Sequence, residues 1–214
     1  MVYKIISKVV ANRLKPLLPS LVSREQSGYV EGRQILDNII QAHEVVHSLT
    51  SNKKAGMIMQ LDIAKEYDKV NMIYIKKVLT TFGFDHNWVR WVMALVTSSR
   101  FSILVNGSPS DLFLPSRRGL RQGDPLSPFL FILMMEGLGW SIKNARAMGK
   151  IQGLQLSENG QVLTHQQFVD DTMLQEIPTV KEALAYKQIL NDFSMATGME
   201  VNLSKSLFFS LTPT

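Results

Sequence analysis

The apolar residues of this chain change period at Gly56. Before that point they recur every three or four positions, as on one face of a helix. From Met57 to Ile63 they alternate, with Met57, Met59, Leu61 and Ile63 on one side and Gln60 and Asp62 on the other, the pattern of a strand with one packed face. Asp62 is therefore expected to project from the open face. The two periods go on interchanging irregularly along the chain, which argues for an α+β fold and against a doubly wound sheet.

The helical segments have recognisable ends. Val2, Ile5, Ile6, Val9, Val10, Leu14 and Leu17 follow the helical period, with Pro16 and Pro19 expected to end it. After a loop with Gly28 and Gly32, a helix from Arg33 to about Leu49 carries Ile35, Leu36, Ile39, Ile40 and Val46. Ile75, Val78, Leu79 and Phe82 form a stripe ending at Gly83, and Asp85 caps a helix with Trp88, Trp91, Val92 and Leu95; both stripes read as core. Phe101 to Leu114 reads as a hairpin turning at Asn106-Gly107. Ser127-Pro128 is the expected N-cap and first residue of a helix to about Ala147. Ile151 to Leu156 and Val162 to Val169 read as strands joined by a turn at Glu158 to Gln161, and Thr172 to Gln175 continues after Asp170-Asp171. Thr179 with Glu182 makes a capping box for a helix ending at Gly198, and Val201 to Ser210 is a final strand.

Composition removes several functional classes. The 214 residues suit one globular domain or one split into two lobes, the 45% hydrophobic content excludes disorder, and the lack of cysteine excludes disulfides, thiol nucleophiles and cysteine-based metal sites. With 23 Lys and Arg against 18 Asp and Glu the net charge is +5 and the pI near 9.4, which suits a polyanionic partner without singling one out. The run from Phe129 to Met135 falls far short of the roughly 20 residues a membrane span needs, and Lys4, Lys8 and Arg13 interrupt the N-terminal stretch, so neither a membrane partner nor a secretory signal is expected.

Phe168-Val169-Asp170-Asp171-Thr172 sets two acids side by side in an apolar run. Like charges repel and burial opposes ionisation, so such a pair ordinarily needs a cation or solvent. Taken alone, the pair is more simply an exposed turn that favours Asp. Asp62 adds a third carboxylate from a separate strand, and three hard oxygen donors are what two Mg²⁺ ions take while keeping water and substrate phosphates as their other ligands.

Five strings then occur in order. Gln26-Ser27-Gly28-Tyr29-Val30-Glu31-Gly32-Arg33-Gln34-Ile35-Leu36-Asp37-Asn38 is followed by Leu61-Asp62-Ile63-Ala64-Lys65-Glu66-Tyr67-Asp68. Next come Arg118-Gly119-Leu120-Arg121-Gln122-Gly123-Asp124-Pro125-Leu126-Ser127-Pro128, then Phe168 to Asp171, then Gly198-Met199-Glu200-Val201-Asn202-Leu203-Ser204-Lys205-Ser206. The series resembles the fingers motif and motifs A, B, C and D of reverse transcriptases, with the nearest likeness to the plant non-LTR (LINE-type) retrotransposon group.

The resemblance implies a right-hand polymerase fold, with fingers at residues 1–56 and 70–125, a ferredoxin-like palm at 57–69 and 126–214, and no thumb. It implies RNA-directed DNA synthesis: transfer of dNTPs to a DNA primer 3′-end on an RNA template, with two Mg²⁺, or Mn²⁺ in their place. Asp62, Asp170 and Asp171 fall at the metal-binding positions, and Tyr67 at the steric gate that excludes a ribose 2′-hydroxyl. Gln122 and Gly123 fall where the family contacts the nascent pair, and Lys205 where a lysine protonates the leaving pyrophosphate. Arg33, Arg117, Arg118 and Arg121 are candidates for phosphate or template contact. By the same likeness the chain is a piece of a longer polyprotein with an endonuclease, a thumb and a C-terminal region, active in the nucleus.

Glu66 stands where the family usually has Ala, next to the gate, and opens a second reading, a catalytically inactive remnant that still folds or binds nucleic acid. A third comes from His43-Glu44-Val45-Val46-His47, a literal H-E-x-x-H of zinc peptidases, with Glu66 following 19 residues after His47. Against it, Glu66 adjoins the strand Met57 to Ile63 and not a second long helix, and His43 and His47 also suit the face of the helix that begins at Arg33.

Overall fold

The computed structural model describes residues 2–64, 67–98, 102–111, 119–156, 160–202 and 204–211. Helix α1 (Val2–Leu14) tightens into one 3-10 turn (Lys15–Leu17) and re-forms as the short α2 (Leu18–Leu21). The α-helix ends at Leu14, ahead of Pro16 as expected, but the helical path of the chain does not. Pro16 and Pro19 each stand in the first turn of their segment, where a missing N–H costs nothing, so the chain stays helical to Leu21. Helix α3 (Ile35–Ser51), strands β1 (Gly56–Leu61) and β2 (Ile63–Ala64), and helices α4 (Met72–Thr81) and α5 (His86–Thr97) follow. A small hairpin, β3 (Leu104–Val105) and β4 (Ser108–Pro109), precedes the long helix α6 (Ser127–Ala147). The chain then forms β5 (Leu154–Gln155), β6 (Val162–Leu163), β7 (His165–Phe168), β8 (Asp171–Glu176), α7 (Val180–Thr197), β9 (Glu200–Val201) and β10 (Leu207–Leu211).

Four strands make the main sheet in the order β10-β1-β8-β7, antiparallel throughout. Helices connect β1 to β7, a tight turn joins β7 to β8, and α7 carries the chain from β8 to β10. This is the β-α-β-β-α-β arrangement of ferredoxin-like folds, as expected from the resemblance. The last expected strand is two: β9 pairs with β2 and β10 with β1, because the intervening loop folds over the backbone of Asp62. There Asn202 N–H donates to Asp62 O at 2.8 Å and Asp62 N–H to Ser206 Oγ at 3.3 Å.

The first half of helix α6 is apolar on every side, and Leu130 to Met135 are all buried, as a helix segment at the centre of a core must be. Around it lie α4 and α7, with Met59, Leu61 and Leu174 of the sheet and Leu14 and Leu18 of α1 and α2. A smaller cluster occupies the other sheet face, where Val45 and Leu49 of α3 meet Ile58, Leu154 and Leu163. The face expected to be open is therefore covered at one end, while Asp62 at the other end and Phe209 on the edge strand β10 lie outside this cluster.

Several helical stripes divide differently from the expectation. In α1 the buried residues are Ser7, Val10, Ala11 and Leu14, while Val2, Ile5, Ile6 and Val9 are exposed. In α3 only Val45 and Leu49 are buried, and Ile35, Leu36, Ile39, Ile40 and Val46 face outward. Trp91 of α5 is exposed as well, whereas Trp88 stacks on Phe84 at 4.4 Å between ring centroids. The expected Ser127 cap of α6 does not form, and Leu126 stands at the N-cap without a side-chain cap bond among the described residues. Ser127 is its first residue, and buried Asp124 accepts from Leu126 N–H at 3.1 Å and from Ser7 Oγ at 2.9 Å. Asn106 and Gly107 both take positive φ, +50° and +82°, as the hairpin turn requires. Among the described residues no helix is long and apolar enough to cross a membrane.

Candidate active site

Strand register brings the carboxylates together. Leu61 lies opposite Thr172 in the β1–β8 pair, so Asp62, the next residue, leaves β1 beside Asp171. Phe168 pairs with Asp171 across the β7–β8 hairpin, which leaves Val169 and Asp170 as the two central residues of the turn. The charges sense one another: burial, then Asp170, then Asp62, raise the Asp171 carboxyl above its ordinary value.

The donor set suits a hard divalent cation, since three carboxylates held in mutual repulsion gain by sharing one. Among the described residues no three His, Cys, Asp or Glu close into a ready-made cage. That is compatible with Mg²⁺, which keeps several waters and commonly takes one or two carboxylates together with substrate phosphates. Cavities of about 660 and 520 Å³ are lined by other residues, and Asp62, Asp170 and Asp171 retain solvent exposure at the sheet end.

The half-buried ring of Tyr67 stacks on Phe131 of α6, centroids 5.2 Å apart and planes 23° apart. Its carbonyl accepts from Leu120 N–H at 2.5 Å, and Gly119 N–H donates to Val70 O at 2.9 Å, tying the loop before α6 to the Tyr67 turn. Gly119 has φ +102°, and a Cβ there would stand 2.8 Å from Asp68 O, so this crossing needs glycine. Gln122 and Gly123 sit exposed at the tip of that loop, with φ +75° at Gly123. The Arg121 guanidinium lies over the Tyr3 ring at 4.5 Å.

Arg33, expected to contact substrate, instead uses its guanidinium on the backbone. It donates to the carbonyls of Ser23, Gln26 (2.6 Å), Val22 (2.8 Å) and Pro19 (3.4 Å), and so shapes the loop before α3. Lys205 is exposed in the loop that grips Asp62, its N–H bonded to Asn202 O at 3.1 Å. Lys65, Glu66, Arg117 and Arg118 lie outside the described residues. His43, Glu44 and His47 are exposed on α3, with His47 Nε2 3.4 Å from Ser51 Oγ, and no metal-holding cluster forms around them among the described residues.

Two supporting residues escaped the sequence reading. Phe131 looks like any core residue of α6, and nothing in its spacing points to Tyr67. Gln26 was visible inside a motif string, but its side chain acts on Val169, 143 positions away.

The profile of the reverse transcriptase (RNA-dependent DNA polymerase) family matches residues 1–213. The chain belongs to the reverse transcriptase family. This reverse transcriptase domain is 27% identical over 206 residues to an uncharacterized 149 kDa protein of transposon TX1 from Xenopus laevis, covering 95% of this chain and 15% of that protein. It is 27% identical over 208 residues to a Pol polyprotein of a type-1 R2 retrotransposable element from Popillia japonica, covering 97% of this chain and 28% of that one. It thus resembles non-LTR retrotransposon proteins while spanning less than a third of the length of either relative. An uncharacterized mitochondrial protein of Arabidopsis thaliana is 48% identical over 69 residues, 32% of this chain and 56% of that protein. In fold, the domain is similar to telomerase from Candida tropicalis in complex with a fragment of telomeric RNA, with a TM-score of 0.66 at 14% identity over 94% of this chain and 32% of that one.

Proposed function

We propose that this reverse transcriptase domain extends a DNA primer with dNTPs along an RNA template, as part of a plant LINE-type retrotransposon polyprotein. The observation that carries the reading is the register that sets Asp62 beside Asp170-Asp171 in a chain of this family. Asp62, Asp170 and Asp171 would hold two Mg²⁺, or Mn²⁺, which when bound favour the ionised primer 3′-hydroxyl and neutralise charge on the triphosphate.

The other residues act around that centre. Tyr67, backed by Phe131, would present a firm ring against the sugar and select deoxyribose. Gln122 and Gly123 offer an exposed loop to the nascent pair, and Arg121 and Lys205 are candidates for contact with phosphate. Arg33 serves the site indirectly, through the loop it organises. Fingers at 1–56 and 70–125 and a palm at 57–69 and 126–214 agree with a sheet drawn, apart from Gly56, from the palm ranges.

Primer extension tests this on poly(rA) with oligo(dT), dTTP and either Mg²⁺ or Mn²⁺, beside an Asp170→Ala, Asp171→Ala variant. The unmodified chain extends the primer and the variant does not. No extension by a folded, monodisperse sample with either metal would overturn the reading for this chain.

A further inference from the structure

The turn that carries the paired carboxylates is built on a residue poorly suited to it. Val169 has φ +60° while Asp170 does not take positive φ, the pattern of a turn whose first central position ordinarily takes glycine. A β-branched side chain makes that conformation a true outlier, kept only where neighbouring structure holds it.

The holding group is the side chain of Gln26, which is fully buried. Its Oε1 accepts from Val169 N–H at 2.9 Å and from Gly28 N–H at 2.9 Å, and its Nε2 donates to Val169 O at 3.2 Å. A primary amide offers an acceptor and a donor side by side, so it can pair with both backbone groups of one residue as a neighbouring strand would. Two N–H groups converge on one atom and a carbonyl on the other, which leaves one orientation of the amide. The flanking backbone joins in: Ser27 N–H donates to Gln167 O at 3.0 Å and Gln167 N–H to Glu25 O at 2.7 Å. Gly28 completes the fit, since a Cβ there would stand 2.5 Å from Val169 Cγ2 and 2.7 Å from Val169 N.

We propose that Gln26 is a positioning residue for the carboxylates: its amide locks Val169 in the left-handed conformation and thereby aims Asp170 and Asp171 toward Asp62. Its consequence for catalysis rests on the polymerase reading above; its consequence for the turn does not.

The test uses the full chain with Gln26→Ala and Gln26→Glu, each alone and with Val169→Gly. Glutamate keeps the acceptors but turns a lone pair toward Val169 O, whereas glycine reaches φ +60° unaided. Loss of the clamp is expected to lower kcat about tenfold or more with little change in the KM for dTTP, and Val169→Gly to restore much of the loss. Amide hydrogen exchange is followed in parallel. Residues 168–172 are expected to exchange faster in both single variants while α6 stays protected.

Wild-type kcat in both single variants would overturn the proposal. So would unchanged exchange at the turn, or a loss of kcat that Val169→Gly does not relieve, which would mark general damage. If Gln26→Ala does not fold, Gln26→Glu with its glycine partner decides by the same readouts. Failure of the unmodified chain to extend a primer would sink the polymerase reading alone, leaving exchange to judge the clamp.

Discussion

Glu176 shows how much one buried carboxyl can govern. It closes β8 with no exposed surface, neither of its oxygens has a hydrogen-bond partner among the described residues, and burial followed by the charge of Glu182 pushes its pKa up to about 8. A raised carboxyl pKa means that the folded state holds the proton more tightly than the unfolded chain. The stability this contributes is complete below the ordinary value of 4.5 and is lost as pH rises through about 8. Above about pH 6.5, where the opposing contribution of buried His165 (pKa pushed down to about 4) is complete, the melting temperature is therefore expected to fall to about pH 9, and Glu176→Gln, which keeps a neutral group of the same shape, to flatten that fall. A profile equally steep in the variant would assign the pH response to other groups. Glu182 is tied in differently, accepting from Gln152 N–H at 3.0 Å, so the two acids are not equivalent.

At the scale of the element, the start of α6 matters most, because this helix connects the loop of Gln122 and Gly123 to the core. One oxygen of Asp124 accepts from the N–H of Leu126, the N-cap residue, and from Ser7 Oγ, and so fastens the helix start to α1. Asp124→Ala is expected to cost about 1–2 kcal/mol in urea unfolding, the range of one or two lost buried hydrogen bonds. A change within a few tenths would show that the first turn is held by packing alone. Sequence reasoning located this helix start correctly and chose Ser127 for the cap, since Ser before Pro is a common cap signal. Which side chain engages the helix start depends on packing against α1, whose Ser7 Oγ donates to the same Asp124 oxygen that accepts from Leu126 N–H. The capping pair at α7 is similarly half realised. Thr179 Oγ1 accepts from Glu182 N–H at 3.2 Å, but the Glu182 side chain reaches Gln152 instead of returning to Thr179.

Across the whole molecule, α6 is where the core and the site meet. Phe131 is fully buried at the centre of the larger cluster and carries the ring of Tyr67 on its face. Phe131→Ala is expected to destabilise the fold by about 3–5 kcal/mol, a large share of the roughly 5–15 kcal/mol that holds a domain together. Under the proposed function the same variant loses the backing of Tyr67, so its preference for dTTP over UTP should weaken in primer extension under conditions where it remains folded. Unaltered selectivity in a destabilised but folded variant would separate the core role of Phe131 from any role in the gate.

The strand of Met57 to Ile63, the two-residue turn at Asn106-Gly107, the left-handed Gly198 closing α7 and the carboxylates at a tight turn were all legible along the chain, because each depends on neighbours a few residues apart. The alternation of Leu61 and Asp62 likewise anticipated their opposite sides. Which apolar stripe is buried was not legible: α1 and α3 each expose apolar residues that fit the helical period, since period identifies a helix but does not say which neighbour will cover it. The partners of Arg33 and Gln26 were hidden for the same reason. Both lie in a polar loop whose composition suits ligand contact, and it is the packing of that loop that directs the guanidinium to four carbonyls and the amide to Val169. Hydrogen bonds between groups more than a hundred positions apart exist only once the sheet has brought them together, so the folded chain alone reveals that the carboxylate turn is supported from the loop before α3.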